Sequence, residues 1–165
     1  MKTDTSAIVK YSIALLLQYT VIGYLFTGLD MISNSVGRPF PRLLSGLIFA
    51  FLSLRSRTFN ILDNERPDRT KIIENNDGEV VKGFNDRILP SWTPPGIFFP
   101  IMWVLIITPI RAVTSVMIYN ATGGRFSHPA LMSLVLHLSV GDVWNTINNT
   151  EKRYGTSSIG VLFVL

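Results

Sequence analysis

Arg111 and Asp142 are charged residues set inside long apolar stretches of this sequence, and His137 lies between them in chain order. A charge at the centre of a bilayer costs about 2.5–3.5 kcal/mol on insertion scales, so such residues as a rule face a partner or a wet cavity. Counted inward from the turn between Asn120 and Pro129, Arg111 is about nine residues deep, His137 about eight and Asp142 about thirteen. At about 1.5 Å per residue, Arg111 and Asp142 differ by roughly 6 Å along the helix axis. An intramembrane ion pair between Arg111 and Asp142 on adjacent antiparallel helices is therefore expected, the alternative being that each faces an interfacial or wet region separately. His137, Gly141, Trp144 and Asn148 recur at three- and four-residue spacing and so share one helical face. That face offers a ring nitrogen, a gap left by a missing side chain, an aromatic wall and an amide. It suits a flat tetrapyrrole, with His137 as a candidate axial ligand to iron or magnesium. The competing reading is that a lone helical histidine is a hydrogen-bonded packing residue. No nucleophile elbow, Gly-rich phosphate loop or H-E-x-x-H spacing is present, so the sequence supports neither an enzyme activity nor a dedicated metal centre.

The elements that hold these residues are membrane helices. The chain is 47% hydrophobic and 16% charged with positive mean hydropathy, whereas soluble domains carry about 25% charged residues. Cysteine is absent, which excludes disulfides and thiolate metal sites. Three regions are expected: residues 1–56 with N-terminal membrane segments, 57–89 as a polar loop, and 90–165 as a helical region. The charge-free run of residues 11–29 is long enough to cross roughly 30 Å of hydrocarbon. It reads as a retained helix and not a signal peptide, since no A-x-A cleavage site follows. Residues 43–54 are too few to span and predict an interfacial or tilted helix. Within the polar loop, Asp77-Gly78 between two β-prone runs predicts a β-hairpin. Helices are expected over about 95–119, 129–149 and 156–165. Basic residues concentrate between Arg38 and Arg87, outside the apolar runs. They point to anionic headgroups and give no basic face for nucleic acid.

Trp92 to Trp103 packs two tryptophans and three prolines into the mouth of an apolar segment. Pro94 and Pro95 suit a first helical turn, where amides go unpaired, and Trp92 suits the membrane–water boundary. The pattern W-x-P-P-x-x-x-F-P-x-x-W resembles the opening of the second helix in the translocator protein (TspO/MBR, tryptophan-rich sensory protein) family. Leu136-His137-Leu138-Ser139-Val140-Gly141-Asp142-Val143-Trp144 resembles that family's L-Q-L-x-L-N-x-x-W third helix, and Lys152-Arg153-Tyr154-Gly155 the basic turn after it. The resemblance runs from about Pro90 to Leu165. It implies an all-α integral membrane helical bundle of the TspO/MBR type, here with a polar loop hairpin before the second family helix. The family has five helices; the end of the fourth and the fifth are expected to be lacking.

By that resemblance, Trp92, Pro95, Phe99, Trp103 and Trp144 form an apolar pocket whose rings stack on a planar ligand. The sequence departs from the family in becoming more polar: Arg111 stands where small residues are usual, His137 replaces glutamine and Gly141 replaces asparagine. Asn145, Asn148 and Asn149 replace a Pro-Pro and aromatic segment. The expected function is binding or handling a planar apolar ligand, a tetrapyrrole before a sterol. The alternative is a structural or assembly subunit of a larger organellar membrane complex. Expected partners are the lipid bilayer, the ligand, and a second copy or a larger complex, with no nucleic acid. The expected location is an organelle membrane, plastid or mitochondrial.

Overall fold

The structure, a computed structural model, describes residues 5–62, 72–74, 80–82, 91–151, 153, 155–158 and 160. Four helices carry it. Helix α1 (Thr5–Val36) buries one stripe, Ala7, Ala14, Gln18, Ile22, Phe26 and Ser33, at intervals of four and seven residues. It extends past the charge-free run at both ends, because residues beyond the hydrocarbon reach polar surroundings without breaking helical bonding. Gly37, at φ 70°, ends it, with Arg38 N–H donating to Ser33 O at 3.2 Å. A left-handed glycine with a six-residue return bond is a Schellman-type stop.

Helix α2 (Arg42–Arg55) packs along helix α3 (Phe98–Ala121), with Phe49 and Leu52 buried. This is the short helix expected over 43–54, and it takes a place in the bundle. It gives way to a 3₁₀ turn, Ser56–Phe59. Strands β1 (Ile72–Glu74) and β2 (Val80–Lys82) pair antiparallel with Ile73 opposite Val81. The hairpin expected in the polar loop is therefore present, while its Asp77-Gly78 turn lies outside the described residues.

Helix α3 (Phe98–Ala121) and helix α4 (Pro129–Thr150) are, with α1, long and apolar enough to cross a membrane. Pro109 lacks a donor, and its ring crowds the carbonyl four residues back. The helix answers with a π turn over Trp103–Ile107, in which Thr108 N–H reaches Trp103 O. One inserted residue relieves the crowding without breaking the span. Helix α4 ends in a second π turn, Thr146–Thr150, and residues 155–158 form a further helical turn.

The helices pair antiparallel, α1 on α4 and α2 on α3. In lipid, close packing and interhelical hydrogen bonds hold helices together, since no water need be expelled. The approach is close at Gly23, where a Cβ would lie a tight 3.2 Å from Met132 Cε, and ordinary at Gly46, where one would lie 3.6 Å from Val116 Cγ2. Phe126 sits at the centre of the core, its ring 4.5 Å from Tyr119, 5.5 Å from Phe26 and 5.6 Å from Phe49. The α3–α4 link that carries Phe126 is held by Asp30 of α1. Its carboxylate accepts from Phe126 N–H at 2.7 Å, Ser127 N–H at 2.9 Å and Ser127 Oγ at 2.6 Å. Leucines, isoleucines and valines cover the outer faces, Leu16, Leu47 and Leu105 among them. The molecule is an all-α integral membrane bundle in contact with lipid.

Candidate functional site

Arg111 and Asp142 take separate partners, and no direct ion pair joins them. The reason is angular. In the antiparallel α3–α4 hairpin, Arg111 and His137 lie at matching distances from the turn, and His137 faces α3. Asp142 is five residues further on, so it points about 140° away, at the usual 100° per residue. It faces α1 and the end of α2. The two charges remain within electrostatic reach of one another.

Asp142 belongs to a buried polar network. Its Oδ2 accepts from Gln18 Nε2 at 2.8 Å and from Ser56 Oγ at 2.6 Å. Gln18 Nε2 also donates to Ser56 O at 3.0 Å, and Gln18 Oε1 accepts from Asn60 Nδ2. Asn60 Oδ1 in turn accepts Leu62 N–H at 2.8 Å. Gln18 is fully buried and Asp142 is 6% exposed. Backbone that leaves the helix within a membrane must find partners inside the protein. Ser56 to Leu62 is such backbone, since Leu62 packs against Ala14, Val143 and Ile147 of the spans. Gln18 and Asn60 supply those partners, and Asp142 anchors Gln18 and the Ser56 hydroxyl. Gln18 and Ser56 were not among the residues expected from sequence, although an amide inside the 11–29 run is the kind of signal that marks an intramembrane partner.

Arg111 defines a second site, on the α3–α4 face. Its Nη2 lies 3.2 Å from His137 Nε2, and its guanidinium carbon stands 5.2 Å from the Trp103 ring centroid. Arginine is always a donor, so His137 Nε2 accepts and the ring proton is on Nδ1. The His137 Nε2 lone pair is thereby engaged by Arg111. Trp103 is 42% exposed, and no residue of Phe98–Ile107 is buried. Gly141, one turn from His137, has no atom within 4 Å of where a Cβ would stand. Among the described residues no group of three metal-ligating side chains occurs.

The other expected pocket residues divide. Phe99 lies one turn before Trp103 and is exposed, as are Pro95 and Trp92 before the helix begins. Trp144 is apart from them: its Nε1 donates to Ser157 O at 2.8 Å, and Asn148 Oδ1 accepts from Ser157 Oγ at 3.1 Å. Gly160 lies so close that a Cβ there would be 3.0 Å from Trp144 Cδ1. Trp144 and Asn148 therefore hold the segment after α4, while Trp103, Arg111, His137 and Gly141 share the open face.

A charged cluster closes the α1–α4 pair at the end away from Asp30. Glu151 pairs with Lys10 Nζ at 2.7 Å and Arg153 Nε at 3.2 Å, and it accepts a short hydrogen bond from Tyr11 Oη. Burial alone raises its carboxyl. The hydrogen bonds from Lys10 and Tyr11, with the charges of Lys10 and Arg153, outweigh burial and hold it below the usual glutamate value.

Compared with known proteins, the chain matches no curated protein and no solved structure. The TspO/MBR family model matches residues 73–165, which include α3, α4 and every residue of the open face. The match covers more than half of the sequence, so the chain belongs to the TspO/MBR family, membrane proteins of the translocator type.

Proposed function

We propose that this protein binds a planar apolar ligand bearing carboxylates, a tetrapyrrole, on the face shared by α3 and α4. The observation that carries the reading is the Arg111 guanidinium, held between the Trp103 ring and His137 Nε2 within an otherwise apolar span. A planar macrocycle stacks on an exposed aromatic ring, and the open space over Gly141 admits its edge. A carboxylate gains a charge-assisted hydrogen bond from an arginine already oriented by two neighbours. Arg111 presents five N–H donors, of which His137 takes one, so donors remain for the ligand. His137 acts as the positioning residue for Arg111 in this arrangement.

Titration of detergent-solubilised protein with protoporphyrin IX and haem tests the reading, followed by tryptophan quenching and the Soret band. Saturable micromolar binding is expected, weakened by Trp103→Phe and by Gly141→Leu, which fills the open space. Trp144→Phe, at a residue that holds the segment after α4, is expected to leave affinity near wild type. A helical, monodisperse sample that shows no saturable binding overturns the proposal.

A further inference from the structure

An apolar groove of about 580 Å³ runs along the outside of the bundle between α2 and α3. This falls within the roughly 300–1,000 Å³ of small-molecule sites. Its walls include Leu43 and Leu47 from α2 with Val113 and Met117 from α3, each more than half exposed to the bilayer side. Gly46 forms part of the floor, with Val116 Cγ2 3.6 Å from where its Cβ would stand. Arg42 and Asn120 close the groove where α2 begins and α3 ends.

That end of the molecule is cationic. The α1–α2 and α3–α4 links touch there: a Cβ on Gly124 would stand 2.6 Å from Pro39 Cβ, and Phe40 N–H donates to Tyr119 Oη at 3.0 Å. Arg38 and Arg125 line one polar hollow between these links, together with Asp30. Between Lys10 and Asp63 the sole acidic residue is Asp30, and between Arg87 and Asp142 there is none. Both Asp30 oxygens are occupied by Phe126 N–H and by Ser127. No carboxylate pairs with Arg38, Arg42 or Arg125 among the described residues, whereas Lys10 and Arg153 at the far end are paired through Glu151. Pro41 caps α2 without a side-chain hydrogen bond, so the positive end of the helix adds to the field at Arg42.

We propose that the α2–α3 groove holds one acyl chain of an anionic phospholipid, whose phosphate meets Arg42 with Arg38 and Arg125 beside it. An uncharged sterol leaves the arginines unanswered. A second copy of the chain packed side by side brings arginine to arginine, because no carboxylate among the described residues at this end is open. An anionic lipid satisfies groove and charge together: its chain fits an apolar slot parallel to the helices, and its phosphate sits at the helix ends.

Native mass spectrometry of the full chain, released from nanodiscs of equal phosphatidylglycerol and phosphatidylcholine with identical acyl chains, reads the site. Retained phosphatidylglycerol is expected to exceed phosphatidylcholine, and Arg42→Gln to lower that excess about fivefold. Arg55→Gln, at the other end of α2, is expected to leave it unchanged. Val113→Phe fills the groove from its outer wall and is expected to remove one retained lipid, with helicity by circular dichroism as the control for folding. Equal retention of the two lipids overturns the proposal. So does a phosphatidylglycerol excess that ignores Val113→Phe, which leaves charge without the groove. A dimer that Val113→Phe converts to monomer also overturns it, with a second copy as the occupant.

Discussion

Gln18 Nε2 and Asp142 Oδ2 lie 2.8 Å apart, joining α1 to α4 at the depth where α2 has already stopped. This one amide donates to Asp142 and to the Ser56 carbonyl, and accepts from Asn60. The bundle thus ends a helix inside the membrane, meets its freed backbone with Gln18 and Asn60, and ties both to α4 through Asp142.

Loss of Gln18 should therefore cost more than an average intramembrane polar contact. Interhelical hydrogen bonds in membranes average about 0.6 kcal/mol, and Gln18 makes three, so Gln18→Leu is expected to destabilise by about 2 kcal/mol. Asn60→Ala alone should cost less, and the double variant should fall short of additivity by about 0.5 kcal/mol or more, because the two share a bond. Unfolding in mixed micelles with increasing sodium dodecyl sulfate measures each value. Strict additivity would mean that the network is not a unit.

The Glu151 cluster makes stability depend on pH. Its carboxyl is held below the usual glutamate value of about 4.3 by Lys10, Tyr11 and Arg153. A depressed folded value means that the unfolded chain takes up the proton first, so the contribution is present above the unfolded value and fades as pH falls through the folded one. The difference in thermal midpoint between wild type and Glu151→Gln should be constant near neutrality and shrink as the pH falls below the usual glutamate value. Lys10 is half exposed, so added salt should reduce the difference as well. A gap that widens on acidification would reverse the assigned sign.

Much of this architecture is legible in the sequence because hydrocarbon imposes simple demands. An apolar run without charges has to be a helix, and Asp77-Gly78 between β-prone runs marks a hairpin. The limits of legibility are instructive too. Depth along a helix is readable from residue counts, but direction around it depends on which neighbour is packed, and that separated Arg111 from Asp142. Tryptophan spacing placed Trp103 and Trp144 on helices without revealing that Trp144 is bonded to Ser157 while Trp103 stays open. The role of Gln18 needed knowledge of where α2 stops, which no local pattern states. Asp30 is likewise a tertiary cap, set 96 residues from the Phe126 amide it accepts.

Gly124 tests the junction between the two links. It sits at φ 74°, a region that costs an L-residue roughly 1–2 kcal/mol. Gly37, at φ 70°, carries the same backbone demand with no atom within 4 Å of its missing Cβ. Gly37→Ala should therefore show the conformational cost alone. Gly124→Ala adds a clash with Pro39 Cβ at 2.6 Å and should cost about 1–3 kcal/mol more. Equal losses would show that the links move apart without resistance.

The Arg111 guanidinium separates stacking from charge in ligand binding. If Trp103 supplies a platform and Arg111 a carboxylate partner, the two substitutions should fail in different ways. Trp103→Phe should weaken protoporphyrin IX and its dimethyl ester alike, because the macrocycle is common to both. Arg111→Gln should weaken the free acid about tenfold, the equivalent of a hydrogen bond to a charged group, and leave the ester nearly unaffected. His137→Ala should fall between, since it frees Arg111 to leave its position over Trp103 without removing the charge. Quenching titrations of the three variants with both ligands give the six affinities required. An Arg111→Gln variant that loses acid and ester equally would assign Arg111 to packing, and the tetrapyrrole carboxylate would need another partner.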